Sequence, residues 1–403
     1  MTTSARPLPN SLTGWTIIQD KELQLLTVNR KSLAAAMTPV TTFTPENSVS
    51  PILGGVKISI DADNKVLVLL SSGVTAGETV LVESRCSEYE GEIEDFVVDA
   101  KELRTVVSSS SDEVLKFDLR DGKCVVTDSH GVFRLPLYDL KAFPPIRIEG
   151  FGELEYTLDL PADVLAGFID WAMIAVDKDV AGQYLTNTLN IVVRGREMLF
   201  VGHNGRSMAG VKYQLEAEEV DGACCISSRS AVSVCRILGS ATNSDCGIGW
   251  NTNCMVVELS GVTLRIPQIV TAVGKTASSQ VTRVVSVYNQ CDTLGDRTLT
   301  VDGHELHKLA RRVGLLTDDL GKAQLSFADN QLTLESQSST VSLGCEGDCS
   351  NIVARKFSLR EIARIVASDS IRLSINAKPE NPSFYPIVLH YPDNNIFAIQ
   401  TCM

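Results

Sequence analysis

The chain has 403 residues, enough for two to four domains, and 44% of them are hydrophobic but only 6% aromatic, so aliphatic side chains fill its cores. Its net charge of −13 argues, as a total, against a nucleic-acid binder and for a soluble acidic protein. No run of 18 apolar residues is present, which excludes a spanning helix. The polar opening MTTSARPLPNSLTG lacks the apolar stretch of a secretion signal, and the 11 scattered cysteines fit reduced thiols; a cytoplasmic protein is expected.

In chain order, one local figure recurs six times. An apolar residue is followed by a helix-capping type, with apolar residues five and eight positions after the first. It begins at Val28-Asn29, Val98-Asp99, Leu160-Pro161, Ile226-Ser227, Val301-Asp302 and Phe357-Ser358. Extended stretches such as LQLLTV, EDFVV and RTLTV precede it. Asn, Asp and Ser at the second position predict N-caps, whose side-chain oxygens accept from the first free backbone N–H groups. Pro161 suits a first helical position instead. Asp99 with Glu102, Asp302 with Glu305 and Ser358 with Glu361 have capping-box spacing.

Strand-like stretches follow the helices, with turns expected at Asp121-Gly122, Arg194-Gly195, Asn204-Gly205 and Asp329-Asn330. The repeating unit is therefore strand, helix and about three strands. Units pair into three similar two-repeat domains of class α+β, at 23–150, 151–280 and 281–403, after an N-terminal tail 1–22. A propeller blade has no such helix, and a helical solenoid has no hairpins.

The acidic chain places basic residues on these helices. The third position after each start lies about 160° from the core-facing fifth, and it holds Lys31, Lys101, Asp163, Arg229, His304 and Arg360. Lys308 and Arg364 stand one turn further along that outer face, flanked by Arg30, Arg104, Arg236, Arg311 and Arg312. If six helices of about 10–12 Å diameter closed a ring, the hole would be roughly 10 Å across, too small for a duplex about 20 Å wide. Twelve helices leave a hole near 30 Å. Encircling DNA therefore requires two chains joined head to tail. Such a ring would touch phosphates and read no bases, so its hold would be salt-dependent.

Three stretches resemble the bacterial replicative sliding clamp, the beta subunit of DNA polymerase III. NSVSPILGGVKISI (47–60) resembles its first-domain signature, GVFRLPLYDLKAFPPI (131–146) its domain-closing F.LP….FP, and LFVGHNGRSMAG (199–210) its ATDGHRLA turn. The likeness runs from about residue 23 to the end. It implies a DNA-clamp fold with helices lining a ring and antiparallel sheets outside, and a homodimeric, non-catalytic processivity factor with no cofactor and no metal. Double-stranded DNA would be held by Arg30, Lys31, Lys101, Arg104, Arg229, Arg236, Lys308, Arg311, Arg360 and Arg364. It also implies one groove per chain for short linear motifs of DNA polymerase, clamp loader and repair proteins. By position the groove comprises Leu185, His203, Gly205, Arg206, Ser207 and Met208, with Phe397, Ala398, Ile399, Gln400, Thr401, Cys402 and Met403. Here the family's MPMR-like ending reads IFAIQTCM, and its DNA-touching loop, at Lys178–Tyr184, lacks the usual Arg.

Catalysis has little support. HELH (His304, His307) is one residue short of the zinc-protease spacing, and neither a Gly-rich phosphate loop nor a Gly-x-Ser-x-Gly elbow is present. A repeat-built adaptor that binds only proteins is the other alternative.

Overall fold

The computed structural model describes residues 25–44, 50–75, 78–144, 154, 156–176, 186–204, 207–241, 244–269, 286, 295–314, 322–336, 338–350, 352, 355–358, 369–376, 387–392 and 396–400. In the first third, β1 (Leu25–Asn29) enters α1 (Arg30–Phe43), and β2 (Gly55–Asp61), β3 (Val66–Thr75), β4 (Glu78–Cys86) and β5 (Tyr89–Gly91) follow. Then β6 (Phe96–Asp99) enters α2 (Ala100–Ser109), followed by β7 (Val114–Arg120), β8 (Lys123–Thr127) and β9 (Val132–Pro136). The middle third contains β10 (Tyr156–Pro161), α3 (Ala162–Met173), β11 (Thr188–His203), β12 (Ser207–Ser227), α4 (Ser228–Ser240), β13 (Asp245–Trp250), β14 (Cys254–Leu259) and β15 (Val262–Pro267). The last third contains β16 (Arg297–Val301), α5 (Gly303–Gly314), β17 (Lys322–Ala328), β18 (Gln331–Glu335), β19 (Thr340–Gly347), β20 (Arg355–Ser358), β21 (Ile371–Ile375), β22 (Ile387–His390) and β23 (Ile396–Gln400).

The repeated figure acts as a strand-to-helix switch. Asn29 and Asp99 keep extended backbone angles, so each closes a strand, while its side chain opens the helix. Asn29 Oδ1 accepts from the backbone N–H of Lys31 (2.9 Å) and Ser32 (3.1 Å). Asp99 Oδ1 accepts from Lys101 (2.9 Å) and Glu102 (2.8 Å). Ser227 Oγ accepts from Ser230 N–H at 3.2 Å, and Asp302 Oδ1 from Glu305 N–H at 2.8 Å. Pro161 differs from expectation: it stands at the cap position as the last residue of β10, and Ala162 opens α3 without a side-chain cap. The sixth figure ends β20 at Ser358, and the residues after it, Arg360 and Arg364 included, lie outside the described residues.

One face of each helix is buried on the sheets. Leu33, Ala36 and Met37 of α1, Leu103 and Val106 of α2, Leu165 and Ile169 of α3, Ala231 and Val234 of α4, and Leu306 and Ala310 of α5 are all buried. A fully buried Leu stabilises by roughly 1.5–3 kcal/mol, so this face, more than helix propensity, holds each helix in place. The β7–β8 turn has both central residues left-handed (Asp121 φ 51°, Gly122 φ 70°), as does β17–β18 (Asp329 φ 50°, Asn330 φ 57°). These are the primed turns that match strand twist.

β11 is extended throughout, yet it folds back on itself. Eleven residues of straight strand span about 36 Å, but Asn190 Nδ2 donates to the Val201 carbonyl at 3.3 Å. The reversal falls at the expected Arg194-Gly195, where Gly195 has φ +56°. Residues 188–193 then pair with 222–227 of β12, and 197–203 with 208–214. This repeats the arrangement of the first third, where β2 pairs with β6 and β3 with β4.

Two seams join the thirds through backbone ladders. β15 pairs antiparallel with β4, Val262 opposite Ser84 and Arg265 opposite Leu81. β23 pairs antiparallel with β12, Ile396 opposite Val211 and Gln400 opposite Ser207. One continuous core spans the first two thirds, and a second, in the last third, takes in Trp171, Ala175, Ala209 and Val211 from the middle.

Candidate nucleic-acid interface and partner groove

Helix contacts run in the order α2–α1–α4–α3, so four helices stand side by side across the first seam. Lys31, Lys101, Arg104, Arg229, Arg236, Lys308, Arg311 and Arg312 are exposed on the helices, away from the buried faces. Arg30 is half-buried, its Nε donating to the Asp112 carbonyl at 2.8 Å. Arg104 Nη1 donates to Thr41 Oγ1 at 2.6 Å, tying α2 to α1. No salt bridge within the described residues neutralises Lys31, Arg229, Arg236, Lys308 or Arg311. Lys31, Lys101 and Arg229 occupy first helical turns. There the helix dipole disfavours a cation, by about 0.3–1 kcal/mol each. Folding alone does not favour this placement; a polyanion opposite the helix starts would. His304, in the equivalent place on α5, lies with Nε2 3.1 Å from Asp369 Oδ1. α3 breaks the pattern with Asp163 and Asp170, both exposed.

The described part of the implied groove forms one patch. The ladders place His203, Met208 and Ile399 in a row across β11, β12 and β23, with Ser207 opposite Gln400, Ala209 opposite Ala398 and Gly210 opposite Phe397. Asn204 shapes the hairpin, its Oδ1 accepting from Ser207 N–H (2.8 Å) and Ser207 Oγ (3.1 Å). Met208 and Ser207 are buried, and His203 is half-buried. Among the described residues His203 Nε2 is enclosed without a hydrogen-bond partner, and burial lowers the imidazole pKa below its ordinary 6.5. Leu185, Gly205, Arg206, Thr401, Cys402 and Met403 lie outside the described residues, as does Lys178–Tyr184.

Sequence reasoning missed Trp171 and Tyr391, which meet beneath this seam. Both fall outside the repeated figure, so no spacing signal marks them. Of the nine described cysteines, all but Cys235 are buried.

No protein-family model and no curated protein matches the sequence. Solved structures match over nearly its whole length. The sliding clamp (DNA polymerase III subunit beta) of Pseudomonas aeruginosa bound to griselimycin superposes with a TM-score of 0.79 at 15% identity, covering 94% of this chain and 99% of that one. The DNA polymerase III beta subunit of Thermotoga maritima gives 0.76 at 16%, and the sliding clamp of Bacillus subtilis 0.76 at 15%, with the same coverages. The capped repeats, the paired-unit sheets and this whole-length superposition agree: the chain is an α+β protein with the sliding-clamp fold of the DNA polymerase III beta subunits.

Proposed function

We propose that this protein is a DNA sliding clamp, in which two copies close head to tail around duplex DNA and tether a polymerase and other partners. Its domains are 23–150, 151–280 and 281–403, and the cations named above face the enclosed duplex. It acts in the cytoplasm as a processivity factor and performs no catalysis. The patch around His203, Met208 and Ile399 is the groove for short linear motifs, since Met and aliphatic side chains adapt to apolar peptide residues.

The observation that carries this reading is the inventory of strand edges. β4, β12 and β19 hold equivalent places in the first unit of each domain, and β9, β15 and β23 in the second. Two of the three possible seams are made within the chain, β15 with β4 and β23 with β12. β9 pairs only with β8, and residues 340–344 of β19 only with β18, among the described residues. The third seam then falls between β9 of one copy and β19 of another. An open edge of this kind pairs with another chain unless it is protected, and a head-to-tail contact that closes after two copies gives a ring. Twelve helices enclose a hole near 30 Å, enough for a duplex of about 20 Å.

The test is retention on nicked circular DNA after loading. A ring stays on the circle at moderate salt and is released when the circle is cut, and sedimentation gives the mass of two chains. Retention that survives linearisation, or a monomeric mass, sinks the reading. Removing Gln400–Met403 should abolish binding of a polymerase-derived peptide and leave the dimer intact.

A further inference from the structure

α3 carries the opposite charge to the helix beside it at equivalent positions. Counting from each repeat start, the third residue is Lys31 on α1, Lys101 on α2 and Arg229 on α4, but Asp163 on α3. The tenth is Arg236 on α4 and Arg311 on α5, but Asp170 on α3. Seven residues apart, these two positions share one helix face. Both aspartates are exposed, and no described cation pairs with either. Between them Gly167 is exposed with open space beyond its Cα, so no longer side chain covers the carboxylates. α1 and α4 each carry two cations and no acid, whereas α3 carries two acids and no cation.

From this we infer that α3 is a stand-off face within the ring: the duplex bears on α1, α2, α4 and α5 and is held away from α3 in both copies. The inference rests on the ring reading proposed above. A hole near 30 Å around a duplex of about 20 Å leaves roughly 5 Å on each side. That clearance lies inside the Debye length of about 8 Å at physiological salt, so the carboxylates act on phosphates across it. In a twofold ring the two α3 helices lie on opposite sides. Their repulsion centres the duplex along that diameter, and the cationic helices hold it along the other.

A matched pair of photocrosslinkers tests this. Gly167→Cys on α3 and Ala35→Cys on α1 fall at the same repeat position and are both exposed. Each is labelled with a cysteine-reactive aryl azide, loaded on circular duplex and irradiated. Strong crosslinking from position 35 and at least about ten-fold less from position 167 is expected, since both carboxylates repel phosphates across a clearance shorter than the Debye length. Adding Asp163→Lys and Asp170→Lys should raise crosslinking at 167 to the level at 35. It should also steepen the salt dependence of retention by about 0.9 for each lysine that reaches a phosphate. Equal crosslinking from 35 and 167 in the unaltered background overturns the stand-off face and leaves the ring standing. Crosslinking from neither position overturns the ring reading and this inference with it.

Discussion

Trp171 of α3 and Tyr391, the residue after β22, meet edge to face with ring centroids 4.7 Å apart and planes at 77°. The pair joins the middle and last thirds beneath the β12–β23 seam. Tyr391 is buried, and its hydroxyl has no hydrogen-bond partner among the described residues. An unpaired buried hydroxyl costs about 1–3 kcal/mol, whereas the ring contributes its area and its edge contact. Tyr391→Phe should therefore raise the thermal midpoint, by on the order of 1 kcal/mol in stability. Tyr391→Ala should lower it by about 3–5 kcal/mol. Differential scanning calorimetry on both variants checks the two signs; a loss with Phe would mean that the hydroxyl is bonded in solution.

Charge reversal on the helices should separate folding from DNA retention. Glu in place of Lys31 and Arg229 puts an anion in a first helical turn, favoured by about 0.3–1 kcal/mol. The Lys31→Glu, Arg229→Glu double variant should melt no lower than the parent and yet be lost from circular DNA at salt concentrations the parent withstands. Retention equal to the parent's would remove these two residues from the DNA contact.

Val132 lies on the open edge of β9 and is 46% exposed. A carboxylate there disturbs no core and charges the edge against strand addition. Val132→Asp is expected to halve the sedimenting mass with the circular dichroism spectrum unchanged. A dimer that persists at micromolar concentration would place the closing contact elsewhere.

His203 sets a pH dependence. Its folded pKa lies below 6.5 because burial disfavours the imidazolium. The unfolded chain therefore binds more protons between that lowered value and 6.5, and stability falls as pH drops through this window. The carboxyls of Asp61, Asp112, Asp128 and Asp348 are held below 3.8 by their hydrogen bonds, and their contribution is lost only in stronger acid. Between pH 7 and 5 the midpoint should therefore decline less in His203→Gln than in the parent. Parallel curves would show that the ring is solvated.

Much of the local structure was legible in the sequence because its causes are local. Asn29, Asp99, Ser227 and Asp302 cap helices through bonds to residues two or three away. The Asp121-Gly122 and Asp329-Asn330 turns follow from which residues tolerate positive φ. Pro161 was placed one residue late, since nothing in the dipeptide distinguishes the end of a strand from the start of a helix. The partners of two helix cations were not legible: Arg30 is engaged by the Asp112 carbonyl and Arg104 by Thr41, 82 and 63 residues away. The Trp171–Tyr391 contact and the two seams depend on pairing distant stretches, and no spacing rule encodes that.

The seams are built from N–H and C=O groups, which every residue except proline supplies alike. A ladder between β15 and β4 or between β23 and β12 therefore constrains direction and register but scarcely constrains which side chains stand there. Substitutions can accumulate along these joints for as long as the backbone stays extended. A protein assembled this way can share only 15% of its residues with another and still follow the same curve in space.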